Sequence, residues 1–245
     1  MQIFLSALYA QEGHDSPPDL ESILDTMERE GEQNPALHQP YEVTRQYKVF
    51  RSDDPAPISD VMTQISFTPP DTKTFKIIQA QGNDRGKKIV IAILEQEVAS
   101  TKDGGRGEIS RANYDFTFLR TQNFGTFPEY VLHIIPKRKE RGLLLGDIWV
   151  DANTHRIRQV VGVPLKSPSF WVKDLHITVQ FASLDGRWLP VAFDATGNLR
   201  LLGLYSLSGV DLPPRSAPPL RNGISKDSDT VMVWGHHSVH RISAF

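Results

Sequence analysis

Apolar and polar positions set the elements. From Leu20 the apolar residues recur as Leu20, Ile23, Leu24 and Met27, with Glu21, Asp25, Glu28 and Glu30 on the opposite face. That spacing predicts an amphipathic helix with one buried stripe. Ser16-Pro17-Pro18-Asp19 supplies a capping hydroxyl, proline for the first turn and an acid three residues after the serine, and Gly31 can end the helix. The period then drops to two. Tyr41, Val43, Arg45, Tyr47 and Val49 alternate with Glu42, Thr44, Gln46 and Lys48, and Val61, Thr63, Ile65 and Phe67 alternate with Met62, Gln64 and Ser66. Phe75 and Ile77 follow after Pro69-Pro70-Asp71. Such alternation predicts strands with one buried and one wet face, as in antiparallel sheets. Residues 87–101 break it: Ile89, Val90, Ala92, Ile93, Leu94 and Val98 stand beside Glu95 and Glu97. The segment reads as a mostly buried helix whose Ile and Val content keeps a strand open at its start.

Strand patterns fill the second half, near 114–121, 128–136, 143–151, 155–163, 170–182, 187–195 and 199–208. Asp151-Ala152-Asn153-Thr154 and Asp185-Gly186 are the turn signals between them. Trp171, Lys173, Leu175, Ile177, Val179 and Phe181 form one face, with Asp174, His176, Thr178 and Gln180 on the other. From Asp211 the character changes: Pro213, Pro214, Pro218 and Pro219 predict an extended linker, and Val231-Met232-Val233-Trp234 a last strand or a docking peptide.

Composition narrows the classes. The chain has 245 residues, 39% hydrophobic and 23% charged, which excludes a wholly disordered or collagen-like chain. A net charge of −2 supplies no basic field for nucleic acid. Zero cysteines exclude disulfides, thiolate zinc sites and a cysteine nucleophile. Ile3 to Ala10 reads as the end of a signal-peptide apolar region cut after Ala10, with its start trimmed or misassigned, since no Lys or Arg precedes a short run. The alternative is an N-terminal segment packed on the core. The expected organisation is a leader over 1–15, one domain over 16–210 and an extension over 211–245. No stretch is long enough for a transmembrane helix.

Chemistry-bearing motifs are few. G-x-S-x-G, G-x-G-x-x-G, the P-loop and H-E-x-x-H are absent. Gly104-Gly105-Arg106-Gly107 lacks the strand-then-helix context of a phosphate cradle. His236, His237 and His240 have spacing that could bind a transition metal, though a solvated tail is the more ordinary expectation. Glu95 and Glu97, two apart on a helix, point to different faces and are expected in solvent. His133 and His176, both on strands, are expected to be structural. Phe67, Phe75, Trp149, Phe170, Trp171, Phe181 and Trp188 could line a pocket for an acyl chain or fill a solid core.

Several runs carry a family resemblance. They are Tyr130-Val-Leu-His-Ile-Ile-Pro136, Gly146-Asp-Ile-Trp149-Val-Asp151, Thr154-His-Arg-Ile157, Ser167-Pro-Ser-Phe170-Trp171-Val-Lys173, Gly186-Arg-Trp188-Leu-Pro190 and Arg200-Leu-Leu-Gly203-Leu-Tyr205. Over about residues 114–208 the chain resembles bacterial outer-membrane lipoprotein-sorting and carrier proteins. The resemblance implies an α+β fold: a strongly curved antiparallel sheet, an unclosed β-barrel, with helices covering its concave face. It also implies a periplasmic or otherwise exported protein that holds lipoprotein acyl chains, with no cofactor and no catalytic residue. The C-terminal Pro-rich and His-containing extension has no counterpart in that pattern. The residues leave three functions open: a non-enzymatic lipid or lipoprotein acyl-chain carrier, an interaction module of an envelope complex with a filled core, and a metal-dependent hydrolase using His236, His237 and His240.

Overall fold

The computed structural model describes residues 19–51, 54–102, 108–167, 172–200 and 202–212. The chain divides into two units, Met1–Pro214 and Arg215–Phe245, and every described residue belongs to the first.

Helix α1 (Leu20–Glu32) buries Ile23, Leu24 and Met27, the stripe its spacing predicts. Asp19 caps it by accepting from the Ser22 N–H, while Ser16 lies outside the described residues. The helix runs past Gly31 because Gln33, still right-handed, closes it with bonds to the Arg29 and Gly31 carbonyls. A short 3-10 turn, Pro35–Leu37, follows. Asn34 at its start accepts from the Ala36 and Trp188 N–H groups and donates to the Trp188 carbonyl.

Ten strands follow: β1 (Tyr41–Arg51), β2 (Ser59–Thr68), β3 (Thr72–Gly82), β4 (Tyr114–Phe124), β5 (Phe127–Pro136), β6 (Leu144–Asp151), β7 (Ile157–Pro164), β8 (Val172–Leu184), β9 (Arg187–Leu199) and β10 (Gly203–Leu212). Helix α2 (Asp84–Thr101) lies between β3 and β4 in sequence. All strands join one antiparallel sheet in the order β3-β2-β1-β10-β9-β8-β7-β6-β5-β4. The sheet is curved and unclosed: β3 and β4 are its two edges, and α2 is the connection between them. Its seven meander strands from β4 return through β10 to pair with β1, so the first and last strands meet mid-sheet.

The register puts both helices on one face. Val43 stands opposite Ile65, Tyr47 opposite Val61 and Val49 opposite Leu207. Across the other half, Leu132 faces Ile148, Ile148 faces Val160 and Val160 faces Val179. Val90 and Leu94 of α2 join the first set in one core cluster, and Ile23, Leu24 and Met27 of α1 join the second. Both clusters are continuous with the same sheet face, which makes the fold two layers. Gly86 allows the close approach of α2: a Cβ there would sit 2.3 Å from the Ser59 Cβ on β2.

Two sequence expectations shift. The unbroken alternation from Trp171 to Phe181 is interrupted by register shifts between Lys173 and His176 and between Gln180 and Phe181, with Asp174 at φ +51°. A bulge adds a residue and so changes which face the following side chains reach. Asp211 and Leu212 belong to β10 rather than to a linker, because their backbone pairs with Arg45 and Thr44 of β1.

Candidate functional site

Arg45 sits on the buried phase of β1, between Val43 and Tyr47, with its side chain 8% exposed. A buried guanidinium must place five N–H donors, and here each has an acceptor. Nε and Nη2 donate to the two oxygens of Asp211, the latter at 3.2 Å. Nη2 also donates to the Pro190 carbonyl at 3.0 Å, and Nη1 to Tyr47 Oη and Glu97 Oε2, both at 3.4 Å. Glu97 reaches a second cation through Oε1, 3.1 Å from Lys73 Nζ. Arg45 and Tyr47 come from β1, Lys73 from β3 and Asp211 from β10; Glu97 alone comes from a helix, near the C-terminal end of α2.

Burial works against the Arg45 charge, but the Asp211 hydrogen bonds and the Glu97 and Asp211 charges outweigh it and hold the guanidinium above its ordinary value. Burial raises Asp211, although Arg45 opposes the shift. The bidentate geometry, with Nε and Nη2 on separate carboxylate oxygens, is that of the ionised pair. Burial pushes Tyr47 up to about 12 and raises Tyr41. Both hydroxyls therefore stay protonated at neutral pH.

The space beside this network is small. Tyr41, Val43, Ile65, Leu189 and Pro190 with the charged groups surround a void of about 10 Å³, the size of one water at most. A larger cleft of about 620 Å³ lies between the end of β7 and the start of β8, lined by Val163, Pro164, Lys173, Leu175, His176 and Arg200 among others.

The structure distributes the aromatic candidates. Phe67 is buried on the helix-covered face against the Tyr41 ring, 5.2 Å between centroids. Phe75 packs on the cluster beneath α2, and Phe181 on the cluster beneath α1. Trp188 donates Nε1–H to the Ile157 carbonyl at 2.8 Å and lies under the Arg156 guanidinium. Trp149 is on the opposite face of the sheet, since it alternates with buried Ile148 and Val150. Phe170 and Trp171 lie outside the described residues, as do His236, His237 and His240. Phe75 is thus brought near α2, and Trp149 is not.

His133 pairs with Asp147 on the neighbouring strand, Nδ1 to Oδ1 at 2.7 Å, and both are part-exposed. A His176 ring nitrogen contacts the Asp174 carbonyl at 3.2 Å. Among the described residues no three His, Cys, Asp or Glu side chains gather as a metal site. Glu95 is exposed, as its spacing predicts, whereas Glu97 turns inward to the cations. Sequence reasoning missed Arg45, Lys73 and Asp211. The signal for Arg45 was a charged residue on the apolar phase of a strand. Asp211 carried none, because only the pairing of distant strands brings it to Arg45.

No protein-family model and no curated protein sequence matches the chain. Solved structures do. A domain assigned to outer-membrane lipoprotein sorting from Vibrio parahaemolyticus is similar at 12% identity and a TM-score of 0.44, over 79% of this chain and 91% of that one. A LolA-superfamily protein from Nitrosomonas europaea is similar at 15% identity and a TM-score of 0.34, over 81% and 94%. MucB in its complex with MucA from Pseudomonas aeruginosa is similar at 11% identity and a TM-score of 0.25, over 79% and 93%. The fold of this chain, by its own strand order and packing, is an unclosed antiparallel sheet carrying helices on one face.

Proposed function

We propose that this chain is a non-enzymatic exported protein of the cell envelope that holds an acyl chain of a lipid or lipoprotein between its sheet and helix α2. The observation that carries the proposal is the way α2 is attached. It covers the apolar face of β1–β3 through Val90 and Leu94, with Ile89 and Ile93 beside them, and its one polar tie to the buried ions is Glu97. A methylene moved from water to an apolar site gains ~0.8 kcal/mol, so one acyl chain gains about 10 kcal/mol on burial. Here the chain would enter by displacing α2 side chains from the same surface, so much of that gain is offset by the helix residues it exposes. Binding of this kind is reversible, as a carrier needs. Phe75 would line the opened space, with Trp149 turned away from it.

A second function, an interaction module for an envelope partner, is favoured by the void of about 10 Å³ beside Arg45, which holds no room for an acyl chain there as it stands. One experiment separates the two. Full-length protein purified from a bacterial envelope fraction is extracted with organic solvent and the extract analysed by mass spectrometry, and the delipidated protein is titrated with an acyl-chain dye. A carrier yields lipid and dye binding near stoichiometric. Lipid-free protein that excludes the dye sinks the carrier proposal and leaves the interaction module.

A further inference from the structure

The charges beneath α2 bear on what kind of amphiphile the site takes. Arg45, Lys73 and Asp211 are fixed to three strands of the sheet and stay there whatever α2 does. Their side chains are 8%, 14% and 3% exposed. Glu97, 25% exposed, spans both cations, Oε2 to Arg45 at 3.4 Å and Oε1 to Lys73 at 3.1 Å. If α2 moves off the sheet, Glu97 leaves with it. Two cations then face one carboxylate, and Asp211 is already held by Nε and Nη2 of Arg45. The donors left open are the Nη1 N–H of Arg45 that Glu97 had held, the other staying on Tyr47, and the Lys73 ammonium, with the neutral Tyr41 hydroxyl beside them and Val43, Ile65 and Leu189 around them. An uncompensated cation under an apolar chain is costly, and an anion with two oxygens removes that cost.

We propose that the cargo is an amphiphile with an anionic head, a carboxylate or a phosphate monoester on a long acyl chain, whose oxygens take the place of the Glu97 carboxylate on Arg45 and Lys73. This rests on the acyl-chain function proposed above and specifies its cargo. Glu97 acts as an internal stand-in for the head group: it keeps the cations matched while the site is empty and is released when cargo arrives. The site would then discriminate against neutral esters and glycerides of the same chain length.

The test uses the delipidated full chain and cis-parinaric acid, followed by its fluorescence, against cis-parinaric acid methyl ester. Competition by lysophosphatidate against the acid separates a phosphate head from a carboxylate, and monoacylglycerol is the neutral control that should not compete. A hydrogen bond to a charged group discriminates by ~10- to 100-fold, so the acid should bind that much more tightly than the ester. Lys73→Met should narrow the gap between acid and ester, because the ammonium that prefers the anionic head is gone. Glu97→Gln should tighten the acid, because the competing carboxylate is gone; a merely structural Glu97 would weaken acid and ester alike. Equal binding of acid and ester overturns the head-group proposal and leaves the acyl-chain function standing. Failure of both to bind overturns the acyl-chain function and this proposal with it.

Discussion

Replacing Arg45 by Met tests whether the ionic network is a buried unit. The substitution fills most of the side-chain volume and removes five hydrogen bonds at once. It leaves Asp211, 3% exposed, as a carboxylate without its cation. Removing one partner of a buried pair costs ~3–5 kcal/mol, most of it the desolvation of the charge left behind. For a domain of this size that is a fall in Tm of about 10 °C. The double substitution Arg45→Met/Asp211→Leu removes the stranded charge as well. It should cost at least ~2 kcal/mol less than the single one, because apolar replacement of both members of a buried pair is often close to neutral. Urea unfolding followed by tryptophan fluorescence measures both, and an unchanged slope would show that the same surface unfolds. A cost below about 1 kcal/mol for Arg45→Met, or a double variant weaker than the single, would refute the reasoning: Asp211 would then be reached by water and the network would be a surface one.

Three further outcomes follow from the packing and the charges. Tyr47 is held protonated up to about 12, against an ordinary value of 10.0, so its contribution is intact below pH 10 and is lost as pH rises towards 12, a fall of ~3 kcal/mol at most; urea midpoints between pH 9 and 12 should fall less in Tyr47→Phe than in the parent. Arg111 bonds Glu21, Asp25 and Glu28 of α1, and the Arg111 hydrogen bond holds Glu28 below its ordinary 4.5. That contribution is present above pH 4.5 and fades as pH falls through the lowered Glu28 value; Arg111→Ala should remove the acid dependence and reduce the sensitivity of Tm to added salt. Gly86→Ala gains ~1 kcal/mol of helix propensity yet places a Cβ 2.3 Å from the Ser59 Cβ, so overpacking should win by ~1–2 kcal/mol and loosen α2, read as a lower urea midpoint and faster hydrogen exchange in residues 84–101.

Much of this architecture is legible in the order of residues because secondary structure is periodic. The alternation at 41–49 and 61–67 needs only that one face be dry, and both segments are strands with that face buried. The spacing of Ile23, Leu24 and Met27 is the stripe α1 buries, and the aperiodic apolar run at 87–101 is α2. Local turn chemistry at Asp185-Gly186 places the β8–β9 hairpin. These properties depend on neighbours a few positions away, which the chain itself supplies.

The ionic network depends on neighbours far away, and there the sequence falls silent. Arg45 meets Asp211 across 166 positions and Glu97 across 52. Nothing local distinguishes Asp211 from the first residue of a proline-rich linker until β10 pairs with β1. Glu97 looks like any solvated glutamate until α2 is laid on β1–β3. Trp149 looks like a cavity aromatic until the phase of β6 is set by burial of Ile148 and Val150. The sequence by itself determined the elements and, through the charge of −2 and the missing cysteines, the chemistry they must do without. The tertiary structure alone decided which charges leave water together. That choice follows from strand order, and strand order is a property of the whole sheet.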